Sequence, residues 1–419
     1  MDSGVAERRI LVLNCGSSSL KYEVFSMPER KSLGRGSVER IGEARGTLSQ
    51  KSPEGELKIE EPFPDHAAAM TRVGAALSDP RARIVDYLGT IACVGHRVVH
   101  GGEEFSKSVA IDDAVMAAIE KNIELAPLHN PANLVGIKEA GRLLPGVPQA
   151  AVFDTSFHQT MPPAAYLYGL PRELYDKYKI RRYGFHGTSH RYVASRALEL
   201  LKRHPDNTNF ITCHLGNGAS ITAIENGRSI DTSMGFTPLE GLMMGTRSGD
   251  LDPSILGYLE ERGYSSKDIG TILNKKSGLL GLSGISNDLR DVEAAAGKGN
   301  KNAIEALDAY AHRVRKYIGA YAAELVKVDA LVFTGGIGQH GTRMRERICH
   351  RLEHIGIVMD YSLNEGLGSG EGPVSAPWSP TAILVIPANE ELQIAMDSYS
   401  LLFPAEHILH MRRKDDEDI

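Results

Sequence analysis

Short apolar runs rich in β-branched residues alternate along this chain with stretches whose apolar residues recur at helical spacing. The runs 10–13 and 381–386 have the length of strands, and each leads into a turn that contains Gly or Asn. The clearest helical pattern runs from about 189 to 202, and Thr188 or Ser189 could cap its start. One face of that helix carries Val193, Ala194, Ala197, Leu198 and Leu201. This alternation predicts an α/β fold.

The two halves of the chain contain a weak internal repeat. Residues 9–26 predict a strand, a polar turn at 14–19 and a second strand with alternating apolar residues. About 200 residues later, 209–225 repeats the pattern around the turn 216–218, and a hairpin signal follows at 225–227. This repeat predicts a duplicated architecture in which each half begins with a hairpin around a glycine turn.

Breaks in the pattern indicate where one domain passes into the other. Met161 and the two prolines after it interrupt regular structure near 156–163. Close to the end of the chain, the strand that ends at Ile386 is followed by Asn389, which can cap a final helix. The predicted domains are residues 1–155, completed by 389–419, and residues 156–388.

Length, charge and cysteine spacing narrow the class of protein. A chain of 419 residues that is 42% apolar can build two hydrophobic cores. Its net charge of −6, without a basic block, argues against a nucleic-acid partner. The N-terminus does not have the pattern of a signal peptide, and no run of about 18 apolar residues could span a membrane. Four cysteines without metal or disulfide spacing favour the reducing cytoplasm. The charged segment 411–419 is predicted to fray.

Three glycine-containing turns are candidate phosphate or nucleotide sites. In the turn 14–21, glycine lets the backbone approach a phosphate closely, and hydroxyls and amides can donate to its oxygens. Lys21 adds a positive charge. The alternative is a hairpin turn without a ligand. The turn is not a Walker A loop, because the residues after Lys21 alternate like a strand. The second turn is 214–218. The third, 333–340, precedes a helical stretch at 344–352 and could hold an adenosine or ribose.

Two arginines are candidates for stabilising the charge of a phosphoryl group. Arg97 follows the apolar run 91–96, and Arg247 lies in the glycine-rich loop 244–253. Phosphoryl transfer spreads negative charge over three oxygens and needs fixed cations around them. A surface salt bridge is the alternative for either residue, and the glycines beside Arg247 favour the functional interpretation there.

Three further residues stand at positions where α/β proteins bind ligands. Asp154 ends a predicted strand, with an Asx turn or cap as the alternative. His186 precedes a helix start, where a neutral imidazole could donate to a phosphoryl oxygen, or serve only near the cap. Glu390 could bind magnesium through water, or could simply complement the dipole of the final helix.

With these residues in view, the chain resembles the acetate kinase family over essentially its whole length. The resemblance rests on the motifs at 13–21, 95–102, 153–158, 183–190, 214–218, 244–250 and 389–391, which occur in the family's order. It implies the duplicated two-domain actin-like (ribonuclease H-like) ATPase fold of actin and sugar kinases, with the active site in the cleft between the domains. One departure lies at Gln339 and His340, where the family usually has Glu and Asn.

The resemblance also implies a role for each motif residue. The implied catalytic residues are Asp154, His186 and Arg247, and the implied metal ligands are Asn14 and Glu390. Arg97 would bind the acyl carboxylate, with Val99, Leu128, Phe185 and Pro238 around its methyl group. The nucleotide would contact Lys21, His214, Leu215, Gly216, Asn217, Gly218, Asp288, Leu289, Arg290, Gly336, Ile337, Gly338, Gln339 and His340.

The implied reaction is a reversible, Mg²⁺-dependent transfer of the γ-phosphoryl group of ATP to acetate, with Mn²⁺ as a second possible ion and a homodimer as the expected assembly. Transfer would be in-line, without a covalent enzyme intermediate. A carboxylate nucleophile needs no general base, so Asp154 is expected to orient an arginine or a metal-bound water. Three alternatives remain: a propionate or butyrate kinase, an actin-like or chaperone-type ATPase, and a nucleotide-binding regulator without catalysis.

Overall fold

The structure, a computed structural model, describes residues 6–408. The charged segment 411–419, predicted to fray, lies outside the described residues, as do the first five residues of the chain. Among the helices that are described, none is both long enough and apolar enough to cross a membrane.

The chain packs as two compact units. Among the described residues, the first consists of 6–156 together with 389–408, and the second is Phe157–Ala388. Each unit contains one mixed sheet. The strands of the first unit are β1 (Arg8–Cys15), β2 (Ser19–Met27), β3 (Lys31–Glu39), β4 (Gly46–Ser52), β5 (Gly55–Glu61), β6 (Ile91–Val98), β7 (Val109–Ala110) and β8 (Gln149–Phe153). Those of the second are β9 (Asn209–Leu215), β10 (Ala219–Glu225), β11 (Arg228–Thr232), β12 (Ala330–Thr334), β13 (Gly372–Pro373) and β14 (Ala382–Val385).

The helices follow the strands in an α/β alternation. In the first unit they are α1 (His66–Leu77), α2 (Asp113–Lys121), α3 (Asn130–Leu143) and the C-terminal α15 (Glu390–Leu402). The second unit contains α4 (Pro163–Tyr166), α5 (Arg172–Tyr178), α6 (Gly187–Leu201), α7 (Ser254–Glu260), α8 (Ser266–Lys275), α9 (Gly278–Ser283), α10 (Leu289–Gly297), α11 (Lys301–Glu324), α12 (Gly335–His340), α13 (Thr342–Cys349) and α14 (Tyr361–Gly366).

The six strands of the second sheet repeat the order of six strands of the first, which has two further strands at one edge. The first runs β5-β4-β3-β2-β1-β6-β8-β7, and the second runs β11-β10-β9-β12-β14-β13. In both, an antiparallel hairpin leads into three parallel strands, β1-β6-β8 and β9-β12-β14, and a short antiparallel strand ends the sheet. The predicted duplication is therefore confirmed at the level of topology, and so is the predicted hairpin around a glycine turn at the start of each half.

Helices cover both faces of the first sheet. On one face α1 and α3 pack against apolar residues of β1, β2 and β6, and on the other face α15 packs Ile394, Ala395 and Tyr399 against β1, β6 and β8. The side chain of Asn389 caps α15 by accepting a hydrogen bond from the backbone N–H of Leu392 at 3.0 Å. The predicted cap and final helix are confirmed, and this helix returns the chain to the first unit.

The helix α6 covers one face of the second sheet. Val193, Ala194 and Ala197 are buried against residues of β9, β12 and β14, as the apolar periodicity predicted. The predicted N-cap of α6, Thr188 or Ser189, was wrong. The helix begins at Gly187, and His186 is its N-cap, with a left-handed backbone (φ 58°) and without a side-chain capping hydrogen bond.

The third glycine motif was predicted to be a turn, and this was wrong. Residues Gly335–His340 form the short helix α12, which begins directly after β12. A β-carbon on Gly335, whose φ is 76°, would lie 2.7 Å from the carbonyl oxygen of Leu215. Glycine is therefore required by this sharp passage from strand to helix, rather than by a free loop.

Candidate active site

The first group of predicted residues meets at one edge of the first sheet. Asn14 lies near the end of β1, Arg97 near the end of β6, and Asp154 directly follows β8. These strands are parallel neighbours, so their carboxyl ends reach the same edge. Arg97 was predicted to follow its strand but is the penultimate residue of it. Lys21 lies beside Asn14 as its cross-strand partner on β2.

Arg97 joins the side chains at this edge. Its Nε and Nη2 atoms donate to the two carboxylate oxygens of Asp154 at 3.2 and 2.5 Å, and its Nη1 donates to Oδ1 of Asn14 at 3.2 Å. A carboxylate oxygen of Glu390 lies 3.9 Å from Nε. Asp154 is almost fully buried and Arg97 is about one quarter exposed. Arg97 therefore forms a salt bridge, but a largely buried one, and the carboxylate of Asp154 orients an arginine.

Burial and charge set the protonation of this group. Burial alone lowers the pKa of Arg97, but the carboxylates of Asp154 and Glu390 outweigh it, so the pKa of the guanidinium is raised overall. Burial raises the pKa of the Glu390 carboxyl to about 7, because the lowering effect of Arg97 is partly cancelled by the charges of Asp154 and Glu391. The edge thus concentrates carboxylates around a single guanidinium.

This arrangement can accommodate a hard cation. Asn14 and Glu390 offer an amide oxygen and a carboxylate, which are ligand types that hard cations bind. Across residues 6–408, no cluster of three or more His, Cys, Asp or Glu could hold a metal by itself. Magnesium does not need such a cluster, since it commonly binds one or two carboxylates and takes its other ligands from water and phosphate. The donor set fits magnesium better than a structural metal.

The four residues predicted around the acyl methyl group come from both units. In the first unit, Val99 is buried and its N–H donates to Oδ1 of Asn133 at 3.1 Å, whereas Leu128 is 77% exposed. In the second unit, Phe185 is buried directly before His186 and Pro238 is half-buried. Their role as one pocket stays a prediction.

His186 is held at the start of α6 by contacts within the second unit. Its Nδ1 lies 2.9 Å from Oγ of Ser220 on β10. Its ring stacks on that of His214, with the ring centroids 4.3 Å apart. The Nδ1 atom of His214 in turn lies 2.7 Å from Oγ of Ser189. The imidazole is therefore fixed both at its edge and on its face.

Arg247 lies in a loop with no regular structure. Its Nη1 donates to the carbonyl oxygen of Pro238 at 3.3 Å. Within residues 6–408, no carboxylate forms an ion pair with its guanidinium, so the salt-bridge alternative was wrong for Arg247. Burial lowers its pKa. A cation that is half-desolvated and lacks an anionic partner is suited to receive an anion.

The guanidinium of Arg247 and the imidazole of His186 converge on the second glycine turn. A β-carbon built on Gly218 would lie 3.5 Å from Nη1 of Arg247 and 3.6 Å from Nε2 of His186. The same turn supports the arginine loop, because the N–H of Gly245 donates to the carbonyl of Asn217 at 2.9 Å. A β-carbon on Gly245 would lie 2.0 Å from Oδ1 of Asn217, so a larger residue there would displace the Asn217 side chain.

 Many of the predicted nucleotide residues surround one cavity of the second unit, with a volume of about 470 Å³. The predicted residues that line the cavity are Gly216, Asn217, Asp288, Leu289, Arg290, Gly336, Ile337 and His340. The cavity joins the glycine turn after β9 to the starts of α10 and α12, and it is large enough for a nucleoside.

Other predicted nucleotide residues do not line this cavity. They are His214, Leu215, Gly218, Gly338 and Gln339 within the second unit, and Lys21 on the first. Gln339 is directed elsewhere, since its Nε2 donates to the carbonyl oxygen of Ser369 at 3.0 Å. Of the two positions that depart from the family pattern, only His340 therefore faces the cavity.

Sequence reasoning missed several residues of the site. Asn287 and Glu293 line the cavity, and Nδ2 of Asn287 donates to Oδ1 of Asn217 at 2.9 Å. Their proximity to the motif at 288–290 was the available signal. His190 and Ser220 were also missed as partners of His186, although a spacing of four residues places His186 and His190 on one side of a helix start.

Comparison with known proteins places these motifs in one family. The model of the acetokinase family matches residues 9–396. An acetate kinase of Desulfitobacterium hafniense is 54% identical over 396 residues, which cover 94% of this chain and 99% of that protein.

Solved structures agree with the sequence comparison. The Porphyromonas gingivalis acetate kinase superposes with a TM-score of 0.92 at 48% identity, covering 94% of this chain and all of that one. A propionate kinase from Francisella tularensis gives a TM-score of 0.88 at 43% identity with the same coverage. The predicted α/β fold class, a duplicated actin-like architecture, is confirmed, whereas its cleft location for the active site stays a prediction.

Proposed function

Because the chain belongs to the acetokinase family, we propose that it is an acetate kinase, which transfers the γ-phosphoryl group of ATP to acetate and yields acetyl phosphate and ADP. The reaction is reversible and proceeds by direct in-line transfer. The observation that carries the proposal is the largely buried Arg97, oriented by Asp154 and Asn14 at the carboxyl edge of the first sheet.

Arg97 is suited to bind the acetate carboxylate. A guanidinium has five N–H donors, and Asp154 and Asn14 engage three of those on Arg97. Among the described residues no further hydrogen-bond acceptor is recorded for the other two, which belong to Nη1 and Nη2. Two terminal N–H groups can hold a carboxylate in bidentate fashion. Asp154 then fixes the orientation of the guanidinium and compensates its charge.

Arg247 and His186 are suited to stabilise the phosphoryl group during transfer. Both side chains approach Gly218, so an oxygen placed above this glycine could accept hydrogen bonds from both. Fixed donors at this position lower the barrier because they need no reorganisation as charge moves. The nucleoside occupies the cavity between α10 and α12, and Lys21 contributes a positive charge to the phosphates.

Asn14 and Glu390 would hold Mg²⁺, for which Mn²⁺ could substitute. When bound, the ion neutralises phosphate charge and orients the phosphate chain. Glu390 presents its carboxylate from the first turn of α15, and Asn14 presents its amide from the end of β1. We place the protein in the cytoplasm, in agreement with four buried cysteines that form no disulfide.

The test is a hydroxamate assay with ATP and magnesium, in which acetate, propionate and butyrate are offered in parallel. Acyl phosphate formed fastest from acetate supports the proposal. ATP hydrolysis without acyl phosphate would contradict it and favour an ATPase.

Propionate is the acceptor of the second candidate function, which the similarity to a propionate kinase favours. One methylene is worth only about 1–3 kcal/mol in an apolar pocket. Propionate is therefore expected to be a slower substrate, and faster turnover of propionate than of acetate would identify a propionate kinase.

We also propose a homodimer. The segment around α7 exposes large apolar side chains that a soluble monomer would usually bury: Ile255 (42%), Leu256 (37%), Tyr258 (55%) and Tyr264 (45%). Light scattering should give twice the chain mass of 45.5 kDa, and a Tyr258→Glu variant should shift the mass toward that of one chain. A wild-type mass of one chain would contradict the proposal.

A further inference from the structure

Ser220 lies between two imidazole rings. Its Oγ is 2.9 Å from Nδ1 of His186 and 2.7 Å from Nε2 of His190. A serine hydroxyl has one hydrogen, so it can donate to only one of these nitrogens. If both contacts are hydrogen bonds, the other ring must donate to Ser220.

His190 continues this series of hydrogen-bond contacts into the core of the second unit. Burial, followed by the neighbouring His158 and His214, lowers the pKa of His190 far below its ordinary value, so its ring is neutral and carries one N–H. Its second nitrogen, Nδ1, lies 2.7 Å from Oγ1 of Thr212 on β9. Because the neutral ring of His190 has one hydrogen, either Thr212 donates to His190 and His190 donates to Ser220, or both of these hydrogen bonds run the other way.

Two of the possible arrangements run in one direction throughout, and in a third both rings donate to Ser220, whose oxygen has two lone pairs. In the first, Thr212 donates to His190, His190 donates to Ser220, and Ser220 donates to Nδ1 of His186. A neutral His186 then carries its hydrogen on Nε2. In the reverse direction, Nδ1 of His186 donates to Ser220 and Nε2 presents a lone pair, which would repel a phosphoryl oxygen.

We propose that Ser220 and His190 are positioning residues that hold His186 as the Nε2–H tautomer, so that Nε2 donates to the phosphoryl group. This inference rests on the proposed function. Stacking on His214 keeps the ring plane in place, and the approach of Nε2 to Gly218 directs the donor to the point that Arg247 also reaches. In this arrangement His190 donates to Ser220, and the hydroxyl hydrogen of Ser220 is donated to Nδ1 of His186.

The direct test is nitrogen NMR of the full chain labelled with ¹⁵N-histidine, in the free state and with magnesium and a non-hydrolysable ATP analogue. His186 is assigned by the loss of its signals in His186→Gln. The expected result is a protonated Nε2 and an unprotonated Nδ1 in both states. A hydrogen on Nδ1 in either state would overturn the inference.

Variants add a kinetic test. Ser220→Ala should lower kcat about tenfold, the rate equivalent of one hydrogen bond, with the KM values for ATP and acetate unchanged and the tautomer preference lost. Ser220→Thr keeps the hydroxyl and should therefore have the wild-type kcat and the wild-type tautomer preference of His186. The matched control is Thr222→Val on the same strand as Ser220, which removes a buried hydroxyl that lies 2.8 Å from Oγ1 of Thr232 on β11. It should leave the tautomer and kcat unchanged.

The outcomes separate the inference from the proposed function. Wild-type kcat and an unchanged His186 tautomer in Ser220→Ala would overturn the inference while acetyl phosphate is still formed. Absence of acetyl phosphate with the wild-type chain would overturn the proposed function, whereas the position of the hydrogen on His186 is measured without turnover.

Discussion

Asp154 receives two hydrogen bonds from one edge of the Arg97 guanidinium, at 3.2 and 2.5 Å, so the carboxylate fixes both the position and the plane of the arginine. Such a bidentate pair is directional as well as strong. An arginine held in this way presents its remaining N–H groups to a substrate without a loss of side-chain entropy on binding.

Replacing this carboxylate should impair catalysis. Asp154→Asn keeps the shape but removes the charge and one acceptor, so we expect kcat/KM for acetate to fall about 100-fold or more, by analogy with the loss of other charge-assisted hydrogen bonds. Steady-state kinetics with acetate as the varied substrate measure this fall in kcat/KM. The control is Asp176→Asn, which weakens an exposed pair with Arg172 and should have little effect. Near-normal turnover of Asp154→Asn would refute the orienting role.

Loss of Arg247 should affect the transition state more than nucleotide binding. Its guanidinium lacks an ion-pair partner among the described residues and approaches Gly218 together with His186. Arg247→Ala should reduce kcat by about two to three orders of magnitude, while the Kd for ATP, measured by calorimetry, changes little. A large rise in that Kd would instead identify Arg247 as a ground-state binder.

Position 340 should influence nucleotide affinity, and position 339 should not. His340 lines the cavity, whereas Gln339 donates to Ser369. His340→Asn introduces the residue usual in the family, and one better hydrogen bond would lower the Kd for ATP about fivefold. Gln339→Glu is the matched control and should leave the Kd unchanged. Equal effects at both positions would contradict this placement of the nucleotide.

Asn130 should be a stability determinant of the first unit. It is fully buried, accepts from the N–H of His100 and donates to the carbonyl oxygen of His100, which ties α3 to the segment after β6. Asn130→Ala leaves these groups unpaired, so the free energy of unfolding should fall by about 2 kcal/mol. Denaturant unfolding measures the loss. Asn274→Ala, on an exposed helix surface, is the control and should cost far less.

Much of the fold could be predicted from the sequence because its signals are local. The apolar run of β1, the periodicity of α6 and the Asn389 cap each depend on neighbouring residues, and the repeated hairpins revealed the duplication. The start of α6 and the helical state of 335–340 were mispredicted, since close packing against Leu215 and the left-handed backbone of His186 are tertiary effects.

The site was predictable only in part. Asp154 and Arg97 were each placed at the end of a predicted strand, but only the pairing of β6 with β8 shows that these strands end at one edge. His186 precedes a helix and Ser220 lies on a strand 34 positions further along the chain. No local sequence pattern predicts the contact between them. The exposure of Leu128 likewise depends on long-range packing.

The central claim is that ATP donates its phosphoryl group to acetate. The most direct test measures, in one reaction with acetate, magnesium and hydroxylamine, how much acetyl hydroxamate forms for each ADP released. The account predicts equal amounts with the wild-type chain and loss of both products with Arg97→Ala. Release of ADP without acetyl hydroxamate would contradict it.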